Sequence, residues 1–129
     1  MSKLLTLQDL PPLADYQRDR ERFRADVLAA KKARYVAIGD NVSLLFENRL
    51  TVLYQVMEML RIEKTTDPDG IQSELDAYNP MIPGGADWRA TMLVEFEDAE
   101  ERRVQLKYLR LVEHHVFAAI GDARVMAVA

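Results

Sequence analysis

The chain has 129 residues, 49% of them hydrophobic and 29% charged, which suits a single domain over residues 1–129 with a closed core and argues against disorder. It has no cysteine, so disulfides, thiolate metal sites, cysteine nucleophiles and iron–sulfur clusters on its own thiolates are excluded. The net charge of −4 is uneven: residues 1–64 carry 11 Lys+Arg against 9 Asp+Glu, and residues 65–129 carry 6 against 12. A mildly basic front and an acidic back suit a protein that orients protein partners; a nucleic-acid binder would show a basic domain.

The opening MSKLLTLQDLPP has no apolar stretch of the signal-peptide kind. No run approaches the roughly 18 apolar residues of a membrane span. A cytoplasmic protein, away from membranes, is expected. Thr6 and Asp9 have the spacing of a capping box and predict a short turn before Pro11-Pro12. A helix follows from about Leu13 to Ala33, with Leu13, Tyr16, Arg20, Phe23, Val27 and Ala30 on one face. Arg20 is the odd member of that stripe. Its stem lies on apolar surface with the guanidinium at the edge, or it meets a carboxylate. The helix also carries many other basic residues, but interleaved acids pair with them locally, and no aromatics are spaced among them for base stacking.

Tyr35–Ile38 and Val42–Glu47 predict a hairpin around Gly39-Asp40-Asn41, with both faces partly covered. Leu50–Lys64 is the central helix, with an apolar arc of Leu50, Leu53, Val56, Met57 and Leu60 and a polar flank that includes Thr51, Tyr54, Gln55, Glu58 and Arg61. Asp67-Pro68-Asp69-Gly70 reads as a breaker, and Ile71, Leu75 and Tyr78 as a two-turn helix ending before Pro80. A strand is expected over Ala90–Phe96. Asp98 and Glu101 have capping-box spacing for a helix from about Ala99 to Val112, whose core face is Val104, Tyr108, Leu111 and Val112. Val116–Ile120 and Val125–Val128 form a second hairpin around Gly121-Asp122. Ala-Ile-Gly-Asp occurs at both hairpin turns, which is reuse of turn chemistry and no wider repeat. The expected fold class is α+β, a mostly antiparallel sheet of about five strands (two hairpins plus one strand) with about four helices. The chain stops inside its last strand, which suggests an edge strand or a C-terminal truncation.

The segments RLTVLYQVMEMLRIEK, GIQSELDAYNPMIP and WRATMLVEF followed by EERR resemble, in this order, the bacterial domain-of-unknown-function family 3501, over about Leu7 to Ala129. The resemblance implies no activity. It implies a small cytoplasmic protein encoded beside rubrerythrin-like and iron–sulfur oxidoreductase-like proteins, and a polar, histidine-containing segment beyond the position of Ala129.

Two constellations deserve weighing. Glu58, Glu74, Asp76, Glu113, His114 and His115 are metal-ligand types, yet the Glu-x-x-His spacing of a di-iron bundle is missing. The two histidines are adjacent at a strand entry, where they point to opposite faces. Glu113, His114 and His115 are thus weak metal candidates, and no cofactor is expected. The second constellation sets Arg49, Tyr54, Gln55, Glu58 and Arg61 against Glu74, Tyr78, Asn79 and Trp88 across a cleft that would bind a small anion or do acid–base work. The plainer reading is that pairs such as Glu58–Arg61 and Arg49–Glu74 anchor a loop and Trp88 lids the core. No nucleophile elbow or phosphate loop accompanies them. The leading expectation is a non-enzymatic accessory protein that docks to a redox partner, with a homodimer through a sheet edge as a further expectation. The alternative is a small enzyme or an anion- or metal-binding protein, with its site between the helix at 50–64 and the ELDAYNP segment.

Overall fold

The computed structural model describes residues 3–129 and divides the chain into two compact units, one ending at Val94 and the other Glu95–Ala129. In the first, a 3-10 turn at Leu7–Asp9 leads to helix α1 (Leu13–Lys32), strands β1 (Tyr35–Ile38) and β2 (Val42–Phe46), helices α2 (Arg49–Glu63) and α3 (Pro68–Tyr78), a 3-10 turn at Asn79–Met81, and strand β3 (Ala90–Val94). The second holds helix α4 (Ala99–Tyr108), a 3-10 turn at Val112–His115, and strands β4 (Phe117–Ile120) and β5 (Ala123–Met126). Among the described residues, four helices and five antiparallel strands make this an α+β fold. The strands lie in two sheets, β1-β2-β3 and β4-β5, where one sheet was expected.

The Thr6–Asp9 turn closes as its spacing predicts, with the Thr6 amide and hydroxyl both donating to the Asp9 carboxylate, at 2.8 and 2.9 Å. Helix α2 starts at a second reciprocal cap: Asn48 Oδ1 accepts from the Thr51 amide, and Thr51 Oγ1 accepts from the Asn48 amide, each at 2.9 Å. Thr51, expected on the polar flank, is therefore buried. Its hydroxyl donates to the Glu47 carboxylate, which also takes the Thr91 hydroxyl of β3 at 2.8 Å. Helix α3 is longer than the two turns expected. Asp67 caps it by accepting from the Gly70 amide at 2.8 Å, and Pro68 occupies the first turn, where its missing N–H costs nothing. A breaker motif is thus a helix start. A side chain at position 70 would collide with Thr65 and with the capping Asp67, which is why glycine stands there.

The core lies among the first three helices and the N-terminal segment: Leu5, Tyr16, Val52, Val56, Met57, Leu60, Leu75 and Ile82 are buried in one cluster. Burying an aliphatic side chain of this size contributes about 1.5–3 kcal/mol. Beside it, β2 is the middle strand, registered Tyr35↔Leu45 on one side and Phe46↔Ala90 on the other. The edge strand β1 is exposed along its whole length, so the expected cover on both faces of this hairpin is not found there.

The second unit departs further from expectation. Helix α4 stops at Tyr108, with Leu109 as its C-cap, and the left-handed backbone of Leu111 (φ +73) bars the expected continuation to Val112. Its expected core face is not buried: Val104, Tyr108 and Leu111 are all exposed. His114 and His115 lie in the 3-10 turn after Leu111 and not at a strand entry, so the alternation argument for their directions does not hold. The two hairpin turns share their tetrapeptide but differ in length. Ile38 pairs with Val42 across three residues, and Ile120 with Ala123 across two, with Gly39 and Gly121 both at positive φ.

Candidate functional site

Glu58, on the face of α2 turned to α1, gathers five side-chain hydrogen bonds. Its carboxylate accepts from the Tyr16 hydroxyl at 2.6 Å and from Arg20 through Nε and Nη2 at 2.9 and 2.7 Å. Arg61, one turn on, adds Nε and Nη2 at 3.2 Å each. Periodicity places these groups together: Tyr16 and Arg20 are i,i+4 on α1, and Glu58 and Arg61 are i,i+3 on α2. The Glu58 side chain is only 12% exposed, against 29% for Arg20 and 32% for Arg61.

The electrostatics follow from these donors. The Arg20 guanidinium, joined by Arg61 and the Tyr16 hydroxyl, outweighs the burial of Glu58 and holds its carboxyl far below the usual carboxylate range. Burial, then the bond to the Glu58 anion, pushes the Tyr16 phenol well above its ordinary range, and the same anion raises Arg20. At neutral pH the cluster is therefore one fixed anion between two fixed cations and a protonated phenol. A carboxylate so strongly held is a poor proton shuttle; acid–base work needs a pKa near the working pH. The cluster braces α1 against α2.

The remaining candidates are scattered. Arg49 pairs with Asp9 at 3.2 Å and donates to the Lys3 carbonyl at 3.1 Å, tying α2 to the N-terminal segment and not to Glu74. The Tyr54 ring stacks obliquely on Phe23 and lies 5.2 Å from the Lys31 ammonium. Gln55 is exposed. Glu74 lies beside Glu63, and burial, joined by that neighbour, raises its pKa. Tyr78 packs on the core, and Asn79 grips the Leu5 backbone, taking its N–H at 2.8 Å and donating to its C=O at 2.9 Å. Trp88 is 69% exposed and meets Phe46 edge-on, so it lids nothing. Of the nine, Glu58 and Arg61 form one direct cluster, with Tyr54 close to its Tyr16 and Arg20 members. Arg49, Tyr78 and Asn79 anchor other segments, and Gln55, Glu74 and Trp88 join neither. Sequence reasoning did not include Tyr16 and Arg20 among them, although a charge in an apolar stripe was the signal that points to Arg20.

The weak metal candidates also stay local. Glu113 and His114 approach to 3.7 Å within their own turn, and His115 is exposed. Among the described residues no group of three or more His, Asp or Glu is arranged to hold a metal ion.

A different kind of surface occupies Glu95–Ala129, where no residue is buried. The register of β4 and β5 puts Phe117 and Met126 on one face of the hairpin and Ile120 and Val125 on the other, and all four are exposed. Tyr108, ahead of them, is 81% exposed. A two-stranded sheet covered on neither face is marginal in water.

No helix among the described residues is long and apolar enough to cross a membrane. No curated protein matches the chain. A crystal structure of a novel protein of unknown function from Burkholderia pseudomallei K96243 is similar, with a TM-score of 0.91 and 44% sequence identity, over 96% of this chain and 71% of that one. The family described as "Protein of unknown function (DUF3501)" matches residues 4–129. This chain belongs to that family.

Proposed function

We propose that the chain is a non-enzymatic accessory protein that docks through its Glu95–Ala129 unit onto a redox protein. The observation that carries this reading is the apolar surface of that unit, left open on both faces of the β4–β5 hairpin. The low-lying Glu58 carboxyl argues in the same direction, since this multiply bonded acid is tuned for bracing. The class of partner rests on the company that the family resemblance implies, rubrerythrin-like and iron–sulfur oxidoreductase-like proteins, and on a chain that has no thiol of its own for redox work.

Co-elution of the purified protein with such partners tests the reading, alongside its native mass when alone. Wild type should form a defined complex, and Phe117→Asp with Val125→Asp should weaken it at least tenfold while leaving the fold intact, because each places a charge in a desolvated contact. A homodimer that the same pair of substitutions dissociates would make a second copy the occupant of this surface. Binding unaffected by both substitutions would remove the surface from the argument.

A further inference from the structure

We infer that the groove between α1 and the end of α2 binds a small anion bearing a phosphate group. It is lined by Leu13, Gln17, Arg20, Arg61, Lys64 and Thr66, with a volume of about 560 Å³. The groove is wide open to solvent, so an anion seated on it would keep one side in water. Three of its six lining residues are cations and none is an acid. Counting Glu58 behind them, the local charge is +2.

The arrangement does more than gather charge. Arg20 and Arg61 both bond Glu58 through Nε and Nη2, so neither spends its Nη1 group on that carboxylate. Each guanidinium is held in place by one edge and keeps further N–H donors, a geometry that suits planar recognition of a phosphate. Lys64 adds an ammonium, and Gln17 and Thr66 supply an amide and a hydroxyl for neutral parts of a ligand. Basic residues in a last helical turn also offset the helix dipole, but that needs about half a charge. Arg20, contributed by α1, is not required for it. Lys64 itself sits at φ +54, where glycine would be relaxed, so this cation is placed at some backbone cost.

That strain supplies a clean variant. Lys64→Gly removes the ammonium while easing the backbone, so the ligand-free protein should melt at least as high as wild type. Titrating inorganic phosphate at constant ionic strength, with sodium chloride as balance, should raise the wild-type melting temperature saturably. Lys64→Gly should weaken the response about tenfold, the loss expected for one charge-assisted contact. Gln17→Glu, which points a carboxylate into the groove, should abolish it. Glycerol 3-phosphate in place of phosphate separates a monoester ligand, which binds more tightly, from the free anion, which binds equally. A shift no larger than sodium chloride gives, or a phosphate response that both variants keep, overturns the site. All its residues precede Val94, so the outcome is independent of docking by Glu95–Ala129.

Discussion

The two units of this chain solve the burial problem differently. Up to Val94, three helices enclose a cluster in which Val56 and Leu75 are fully buried, and side-chain clamps such as Asn79 on Leu5 seal its edges. Glu95–Ala129 has comparable secondary structure, with caps and turns in order, yet buries nothing. Good local chemistry is thus not sufficient for a core. Helix α4 is capped by Asp98, and the Gly121 turn forms, but ten residues of helix and one hairpin offer too little apolar area to enclose any side chain. What the first unit spends on its own interior, the second leaves on its surface.

The largest break in this comparison should come from truncating each unit's apolar residues. Leu75→Ala should cost about 3 kcal/mol in urea unfolding, the usual range for a fully buried leucine. Phe117→Ala should cost under about 1 kcal/mol, chiefly its contact with the Arg124 guanidinium 4.1 Å from the ring. Equal costs would mean that the second unit is packed after all.

The brace comes next. Glu58→Gln should destabilise by about 3 kcal/mol at pH 7, since it leaves two part-buried guanidiniums without their anion. The folded carboxyl titrates below its ordinary value of 4.5, so its contribution is present above that pH and is lost as pH falls through the folded pKa. The gap between wild type and Glu58→Gln should therefore stay constant from pH 8 to pH 5 and narrow progressively as pH falls below 4.5. A gap that closes near pH 6 would contradict the charge assignment.

The smallest effect has the opposite sign. Burial and Glu63 raise the Glu74 carboxyl, so ionising it opposes folding; stability held below the unfolded pKa is lost as pH rises through the folded one. Glu74→Gln should stabilise by up to about 0.5 kcal/mol at pH 7 and by nothing at pH 3. Thermal melts at the two pH values check it.

Much of the local structure was legible because its cause is local. The Thr6–Asp9 turn, the Asp98 cap, the glycine turns and the Val56, Met57 and Leu60 part of the α2 arc each follow from residues a few positions apart. Val52, outside the expected arc, is buried, whereas Leu50 and Leu53 are only partly so. The misses also have local names. Asp67-Pro68 reads equally as a breaker and as a cap with proline in the first turn, and only the chain beyond decides between them. Nothing near Leu111 forecasts a left-handed backbone there, so helix α4 and the histidines after it were misplaced by a turn.

The candidate site was half legible. Glu58–Arg61 is an i,i+3 pair and is visible in one helix. The partners that change its chemistry, Tyr16 and Arg20, lie 42 and 38 residues away. Composition, caps and the two helical stripes were determined by the amino-acid order alone, because hydrogen bonding and periodicity act within one or two turns. Which stripe meets which, whether an acid becomes a proton carrier or a brace, and which apolar face finds no cover were decided only by tertiary structure, because burial and charge pairing depend on what the distant chain brings alongside.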